Sequence, residues 1–388
     1  MSAEFYLKKL QWDSIKNEYF IFPAQPYENP RTNQLKNPIT DRNVILANFS
    51  FLIKAANLLQ IDATKIKQWQ QVIDHIWPIP YRTLEGVGEV AEQAWYNSDS
   101  IFPSLKERGP WQSHMSAHTS GVFPAGLVGM AQAGTREFKA MVNVINNRPE
   151  QFNAISPEPI VAARLGMGNA VLRMMRQGTR RLQHFPQGLF YNIDHWYNLS
   201  SYMDSIKRPD LFAQRDYIYD ERSKYPNGLP AKPFIQAGLE PQSIYGAAVN
   251  EMLLQSHEGF IRIFPSVPDG WPCSFTLLAR GGFVVSASRS EDASITGLHI
   301  KSQHGNVCRL YNPWPGKKVV IRLVGIAEKK VPYKAEANGV LSFSIPAGAA
   351  CFVYPQNQPA PQIKMLQGVR NEAPKCFEEA TLGKQRNF

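Results

Sequence analysis

The sequence contains no apolar run of about eighteen residues, the length that a membrane-spanning helix requires. Its first residues lack the apolar stretch of a signal peptide. The 4 cysteines show no CxxC spacing, and they read as small buried hydrophobic residues: Cys273, Cys308, Cys351 and Cys376. No internal repeat or low-complexity tract is present. These absences argue against a membrane-spanning helix, a cysteine-based metal site and a repeat architecture.

The chain has an excess of positive charge but no concentrated basic segment. Its 42 Lys and Arg outnumber 32 Asp and Glu, which gives a formal net charge of +10. No basic run is longer than the pairs Arg180-Arg181 and Lys317-Lys318. Since nucleic-acid binding usually needs a clustered basic patch, we expect a merely basic surface and no nucleic-acid partner. With 388 residues, 44% of them hydrophobic, the chain can bury the cores of two or three domains.

Residues 1–257 show mainly the apolar spacing of helices. Residues 43–59 carry apolar side chains at nearly every turn, after the N-cap types Thr40 and Asp41. Further helices are predicted at 63–76, 125–133, 135–147, 159–178 and 244–257, and the first residues read as an amphipathic helix. Long Pro-, Asn- and aromatic-rich segments separate them, at 20–40, 97–124 and 184–242. Loops of such length in a helical domain usually form functional surfaces.

The period of the apolar residues changes to two after residue 257. Short alternating segments separated by Gly, Pro, Asn and Asp turns follow one another up to about residue 355. This pattern predicts a small antiparallel β-sandwich over 258–355. Residues 356–388 are polar, and we expect a loosely packed or disordered tail.

Two stretches in the second half resemble a known family. They are EMLLQSHEGFIRIFPSVPDGWPCS at 251–274 and LLARGGFVVSAS at 277–288. Together they resemble the passage from the last barrel helix into the C-terminal β-domain of glycoside hydrolase family 95, the α-L-fucosidase and α-L-galactosidase family. Weaker likeness continues at 295–312, FIFPAQPYENP at 20–30 and SAHTSGVFPAG at 116–126.

The resemblance implies a fold and an activity. The expected fold is the second half of an all-helical (α/α)6 barrel over 1–257, followed by the β-domain. The implied activity is exo-acting, inverting hydrolysis of glycosidic bonds on a carbohydrate substrate, with no cofactor, no metal and no membrane partner. Members of the family are often secreted or periplasmic.

The chain departs from the family pattern at both catalytic positions. The family's general-acid glutamate and its pair of asparagines lie before the segment that resembles 1–30, so we expect this chain to be a C-terminal portion, inactive alone. The family's base-activating aspartate corresponds by position to Glu240, without the Asp-Gly-Asn-Phe-Gly signature. A base-side carboxylate must activate a water on the face of the sugar opposite the acid. Glu240 is therefore the candidate catalytic residue, and the alternative is a carboxylate that only caps or solvates its loop.

Six other residues are candidates for substrate contact. His114 and His118 lie four residues apart, and by resemblance His118 matches a histidine that contacts the sugar in the family. The polar and aromatic cluster in GLFYNIDHWY suits a carbohydrate subsite, because aromatic faces stack on sugars while amides and carboxylates bind hydroxyls: Asn192, Asp194, His195 and Trp196. Packed loop histidines and a core tryptophan are the alternatives. We interpret His257, Glu258 and Arg280 in the matching motifs as structural.

Three hypotheses about function follow. The chain is part of a family 95-like exo-glycosidase, or it is a non-catalytic carbohydrate-binding or structural remnant. The third hypothesis is a complete enzyme that uses other carboxylates, such as Asp194 with Glu240. The absent acid argues against the third. The sequence does not reveal which sugar is bound, because epimers differ by one hydroxyl.

Overall fold

A computed structural model describes most of the chain: residues 2–24, 35–91, 117–147, 156–182, 190–191, 237–325, 329–361, 375–377 and 380–382. It contains two compact units. The first comprises Met1–Gln151 with Ile155–Val161, and the second Phe152–Ala154 with Ala162–Phe388. The boundaries predicted at 257 and 355 divide the chain by type of secondary structure, and they remain a prediction.

Four α-helices lie within the described residues of the first unit. They are α1 (Ser2–Lys9), α2 (Ile39–Leu59), α3 (Ala63–His75) and α4 (Arg136–Asn146). The helices predicted at 43–59, 63–76 and 135–147 are thereby confirmed. α2 and α3 share a core that excludes water from Ile45, Phe49, Trp69, Val72 and Trp77. Burial of such large apolar side chains is the main source of stability for these helices.

The structure also corrects the helical interpretation of this half. Residues 125–133 form a loop with a single 3₁₀ turn at Met130–Gln132, since Pro124, Gly126 and Gly129 interrupt the helical spacing. Two short hairpins were not predicted. They pair β1 (Gln11–Asp13) with β2 (Glu18–Phe20) and β3 (Tyr81–Leu84) with β4 (Gly88–Ala91).

Three helices stand before the sheet region where two were predicted, and their boundaries differ from those predicted. The segment 159–178 divides at Gly166, whose positive φ of 79° ends α5 (Glu158–Arg164) before α6 (Gly168–Leu182) begins. The helix predicted at 244–257 is α7 (Glu240–Leu253). It starts earlier because Pro241 suits a first helical turn. It also ends earlier, where Leu254 is extended and β7 (Leu254–Gln255) pairs with β8 (Arg262–Ile263).

The region after residue 270 consists of antiparallel strands, as predicted. In chain order the strands are β9 (Cys273–Ala279), β10 (Phe283–Arg289), β11 (Ile295–Ser302), β12 (Val307–Tyr311), β13 (Val319–Leu323), β14 (Lys334–Ala335), β15 (Val340–Ser344) and β16 (Ala350–Pro355). Five of them form one sheet in the order β13-β16-β11-β10-β9, and three form another in the order β12-β15-β14. Buried and half-buried residues alternate strictly along β10. Residues of both sheets, including Val285, Ile300, Leu310 and Phe343, belong to one buried apolar cluster. A mixed fold of helices and antiparallel sheets is thus confirmed.

Short strand pairs complete the description. β5 (Phe190–Tyr191) pairs with β6 (Ala237–Gly238). Within the predicted polar tail, Lys375–Phe377 pairs with Ala380–Leu382. Those six residues therefore form strands, which the expectation of a loosely packed or disordered tail did not include.

A close approach of backbones in the second unit leads to a testable prediction. A Cβ added at Gly168, the first residue of α6, would lie 1.9 Å from the carbonyl oxygen of Ser266. Because backbone atoms cannot turn aside as a flexible side chain can, Gly168→Ala should destabilise the chain by about 3 kcal/mol. Chemical denaturation monitored by circular dichroism measures the change.

Gly246 provides the matched control for this substitution. It lies inside α7, and a Cβ there would meet nothing within 4 Å. Gly246→Ala should therefore stabilise the chain by up to about 1 kcal/mol through helix propensity. Equal effects of the two substitutions would contradict the close approach at Gly168.

Candidate functional site

Glu240, the candidate base-side carboxylate, opens α7. Its side chain is exposed, and Pro241 follows it in the first turn. It thus lies in the helix, whereas the sequence suggested the loop before the helix. A carboxylate in a first turn interacts favourably with the partial positive charge of a helix N-terminus. The position leaves Glu240 accessible to a water or a substrate.

His118 lies in a different environment, because it is almost completely buried. It forms part of a 3₁₀ turn, Ala117–Thr119, and only 7% of the residue is exposed. Its Nδ1 lies 2.6 Å from the carbonyl oxygen of Ala91 at the end of β4. A carbonyl can only accept, so Nδ1–H donates and the neutral ring keeps Nε2 as an acceptor. Burial lowers the pKa of His118 to about 4, so the ring is neutral near pH 7.

Hydrogen bonds fix the conformation of residues 117–128, the segment that contains His118. The Asn43 amide of α2 donates to Ser120 Oγ at 2.9 Å, and both residues are buried. Backbone N–H groups of Leu127 and Val128 both donate to the carbonyl of Gly121. Buried polar groups that are paired in this way fix a loop in one conformation. His118 is therefore presented by a preorganised segment.

Sequence reasoning missed Glu137 and Arg42, which lie beside the same segment. A Cβ on Gly121 would be 3.4 Å from Glu137 Oε1 and 3.4 Å from Asn43 Nδ2, so these groups converge there. Burial raises the pKa of Glu137, and the charge of Arg42 partly opposes this effect. Arg42 Nε donates to the carbonyl of Trp77 at 2.8 Å. The sequence could have pointed to Asn43, because it is a polar residue within an apolar helix. It gave no such indication for Glu137, which resembles any acidic residue in the first turn of a helix.

The remaining candidates cannot be placed. His114, Asn192, Asp194, His195 and Trp196 lie outside the described residues, so their contact with a substrate remains a prediction. Glu240 and His118 belong to different compact units.

A buried charge cluster connects α5, α7 and the residues that follow α7. Arg164 Nη2 lies 2.7 Å and Arg164 Nε 3.1 Å from Glu251 Oε1, and the two side chains are 10% and 19% exposed. His257 Nδ1 is 3.9 Å from Glu251 Oε2, and the His257 side chain is only 4% exposed. Burial, followed by the charges of Arg164, Arg280 and Arg262, lowers the pKa of His257 to about 3. The Gln255 amide adds a bond to the carbonyl of Ala163 at 2.8 Å.

The next turn of the chain contains a second buried pair. Arg262 Nη2 lies 3.3 Å from Glu258 Oε2, and the Arg262 guanidinium stacks 4.1 Å from the Tyr311 ring centroid. Cation–π stacking of this kind stabilises a desolvated arginine. These contacts fasten the helix end to the sheet region.

The described part of the chain contains no group of three His, Cys, Asp or Glu residues that could hold a metal ion. Within the same residues, no helix is long and apolar enough to cross a membrane. The thiols of Cys308 and Cys351 are fully buried and unpaired by disulfides.

Residues 255–353 match the family model described as glycoside hydrolase family 95, C-terminal domain. The resemblance that the motifs at 251–274 and 277–288 carry is thereby confirmed for the C-terminal part of the chain. The match covers this C-terminal part alone, which is about a quarter of the chain.

Comparisons with whole proteins add little. No curated protein matches the chain. A β-L-arabinofuranosidase of family 127 from Geobacillus stearothermophilus T6 is similar over 56% of this chain and 41% of its own, at 12% identity and a TM-score of 0.21. AmyP in complex with maltotriose is similar over 34% of this chain and 25% of its own, at 9% identity and a TM-score of 0.16. The chain thus spans less than half of either structure, and neither likeness is close enough to assign a fold.

Proposed function

We propose that the chain acts as the C-terminal part of a family 95-like glycoside hydrolase that releases α-linked L-fucose or a related sugar with inversion. The observation that carries the proposal is the family match over 255–353. It begins two residues after the end of α7, the helix that opens with Glu240. In this proposal Glu240 serves on the base side of the reaction.

The proposed architecture is the second half of an (α/α)6 barrel followed by a β-sandwich. An exposed apolar stripe on α2 supports the barrel, since Val44, Phe51 and Leu58 follow one another at seven-residue intervals and are 38%, 67% and 83% exposed. The opposite side of α2 buries Ile45 and Phe49. A helix that is apolar on two sides is typical of one packed between two layers. The apolar cluster shared by the two antiparallel sheets supports the sandwich.

His118 takes the role of a substrate contact in this proposal, together with His114 and the cluster Asn192, Asp194, His195 and Trp196. A neutral imidazole with Nδ1–H bound to Ala91 offers Nε2 as an acceptor for a sugar hydroxyl. The low pKa of His118, about 4, keeps that acceptor available through the range in which most enzymes work.

The second candidate function is non-catalytic. In it the chain is a remnant of a diverged glycosidase that binds carbohydrate or has only a structural role. The strong burial of His118 favours it, because a ring with 7% exposure can also serve only to tie residues 117–119 to β4. The two candidates differ in the role of Glu240. The hydrolase needs its carboxylate on the base side of the reaction, whereas the non-catalytic remnant does not need it.

We expect the purified chain to show little or no hydrolysis of aryl α-L-fucosides. A base-side carboxylate without a proton donor loses a contribution of roughly 10²–10⁴-fold in rate. Release of the aryl group is followed by absorbance for the parent chain, for Glu240→Gln and for Glu291→Gln, a control at another exposed glutamate. All three should equal the rate without protein.

Robust turnover that falls in Glu240→Gln but not in Glu291→Gln would overturn the expected inactivity and show a complete enzyme. Robust turnover, well above the rate without protein, that is equal in all three chains would remove Glu240 from the proposed base side.

A further inference from the structure

Three aromatic side chains form a small cluster on the surface of the first unit. The Trp12 ring lies 4.9 Å from the Tyr19 ring and 5.5 Å from the His75 ring, both at steep interplanar angles of 67° and 73°. Trp12 nevertheless remains 42% exposed. Edge-to-face contacts of this kind fix the orientation of an aromatic ring. The indole is therefore held in place and accessible at the same time.

The local sequence explains why Trp12 is held in this position. The Asp13 carboxylate accepts the N–H groups of Ile15 and Lys16 at 3.0 and 3.1 Å, and Asn17 takes a left-handed φ of 55°. These features close a tight turn between β1 and β2. The turn sets Trp12 directly opposite Tyr19 in the antiparallel register. Cross-strand neighbours of this kind share one face of the hairpin.

The opposite face of the hairpin is already occupied. Gln11 lies opposite Phe20 in the register, and its side-chain amide donates to the carbonyl of Phe22 at 2.7 Å. Lys36 Nζ lies 4.4 Å from the centroid of the Phe20 ring. Among the aromatic residues of β1 and β2, Trp12 is thus the one whose side chain remains largely exposed, at 42%.

The exposed indole carries an N–H group, and each of the two neighbouring rings carries a further polar atom. His75 Nδ1 lies 3.1 Å from the carbonyl oxygen of Asn17 and must donate to it, so the neutral ring leaves Nε2 as an acceptor. Within the described residues, His75 Nε2, Tyr19 Oη and Trp12 Nε1 have no hydrogen-bond partner. The cluster therefore offers an acceptor, a hydroxyl and an N–H donor around an apolar ring.

We propose that Trp12, Tyr19 and His75 form an accessory binding site for a pyranose ring. A sugar has one face of C–H groups, which stacks on an aromatic ring, and a rim of hydroxyls, which needs donors and acceptors at its edge. The choice of a sugar over another amphipathic ligand rests on the proposed function. The geometry of the site is independent of the proposed function. A shallow site with one stacking ring should bind in the millimolar range.

Saturation-transfer difference NMR with four methyl pyranosides tests the site. The probes are the α-L-fuco, α-L-galacto, β-D-galacto and α-D-xylo compounds, each titrated to about 50 mM, where a millimolar Kd saturates. Trp12→Ala should weaken binding of at least one probe by about tenfold or more, and Trp12→Phe should restore part of it. Trp271→Ala is the matched control, since Trp271 is 43% exposed and no described aromatic ring contacts it.

Two further variants separate this site from the proposed function. Binding that is lost in Trp12→Ala but retained in His118→Asn and Glu240→Gln supports the accessory site, whatever the chain's activity. Binding that is retained in Trp12→Ala but lost in His118→Asn refutes the accessory site and supports the candidate functional site. Equal binding by Trp12→Ala and the parent chain, or no binding of any probe, also refutes it, provided that thermal unfolding shows each variant folded.

Discussion

Arg164→Met is expected to cost about 3–5 kcal/mol of stability, because it removes the partner of a buried carboxylate. Glu251 is 19% exposed, and both contacting nitrogens of Arg164 approach its Oε1. Its Oε2 has no hydrogen bond in the structure. Without Arg164 the charge of Glu251 stays desolvated and lacks its salt bridge. Urea denaturation of the two chains at pH 7 measures the loss.

Two comparisons sharpen this measurement. Arg136→Met breaks an ion pair with Glu89 whose side chains are 64% and 33% exposed, and its effect should be much smaller because water screens such pairs. Adding Glu251→Gln to Arg164→Met should recover part of the loss, since the neutral amide is cheaper to bury than an unpaired carboxylate. Equal losses for Arg136→Met and Arg164→Met would show that burial of the pair has no energetic consequence.

The features that sequence predicts well are those that depend on neighbours along the chain. The strict alternation in β10 and the apolar turns of α2 and α3 each report which face meets the core. The division of 159–178 into two helices was not predicted, although Gly166 and Gly168 stand where the helix would have to continue. The helix predicted over 125–133 failed for a related reason, since apolar residues were counted while Pro124, Gly126 and Gly129 were not given enough weight.

The candidate site was harder to predict because its contacts join distant parts of the chain. Arg164 and Glu251 are separated by 87 residues, and His118 and Ala91 by 27. The residues around His118 in the sequence do not indicate that its side chain is buried, and burial is what lowers its pKa. The hairpin that contains Trp12 was not predicted because its strands are only three residues long. Strands of that length show almost no alternation of apolar and polar residues.

Acid should destabilise the chain through His257 and His118, each by about 2 kcal/mol between pH 7 and pH 5. Burial lowers the pKa of His257 to about 3 and that of His118 to about 4, against an ordinary value of 6.5. Between these values the unfolded chain binds more protons than the folded chain. Stability is therefore fully present above about pH 6.5 and is lost as the pH falls toward 4. Urea denaturation at several pH values measures the slope.

His257 gives the cleaner test of the two. In the first unit, burial raises the pKa values of Asp41 and Glu137, and these carboxyls oppose the effect of His118 because the folded chain holds their protons more tightly. His257→Gln should flatten the acid slope between pH 7 and pH 5, whereas His304→Gln, at an exposed position, should leave the parent slope unchanged. Arg164→Met should flatten it in part, since the charge of Arg164 helps to hold the pKa of His257 down. An acid slope that is the same in all four chains would mean that His257 is protonated equally easily in the folded and unfolded states, contrary to its 4% side-chain exposure.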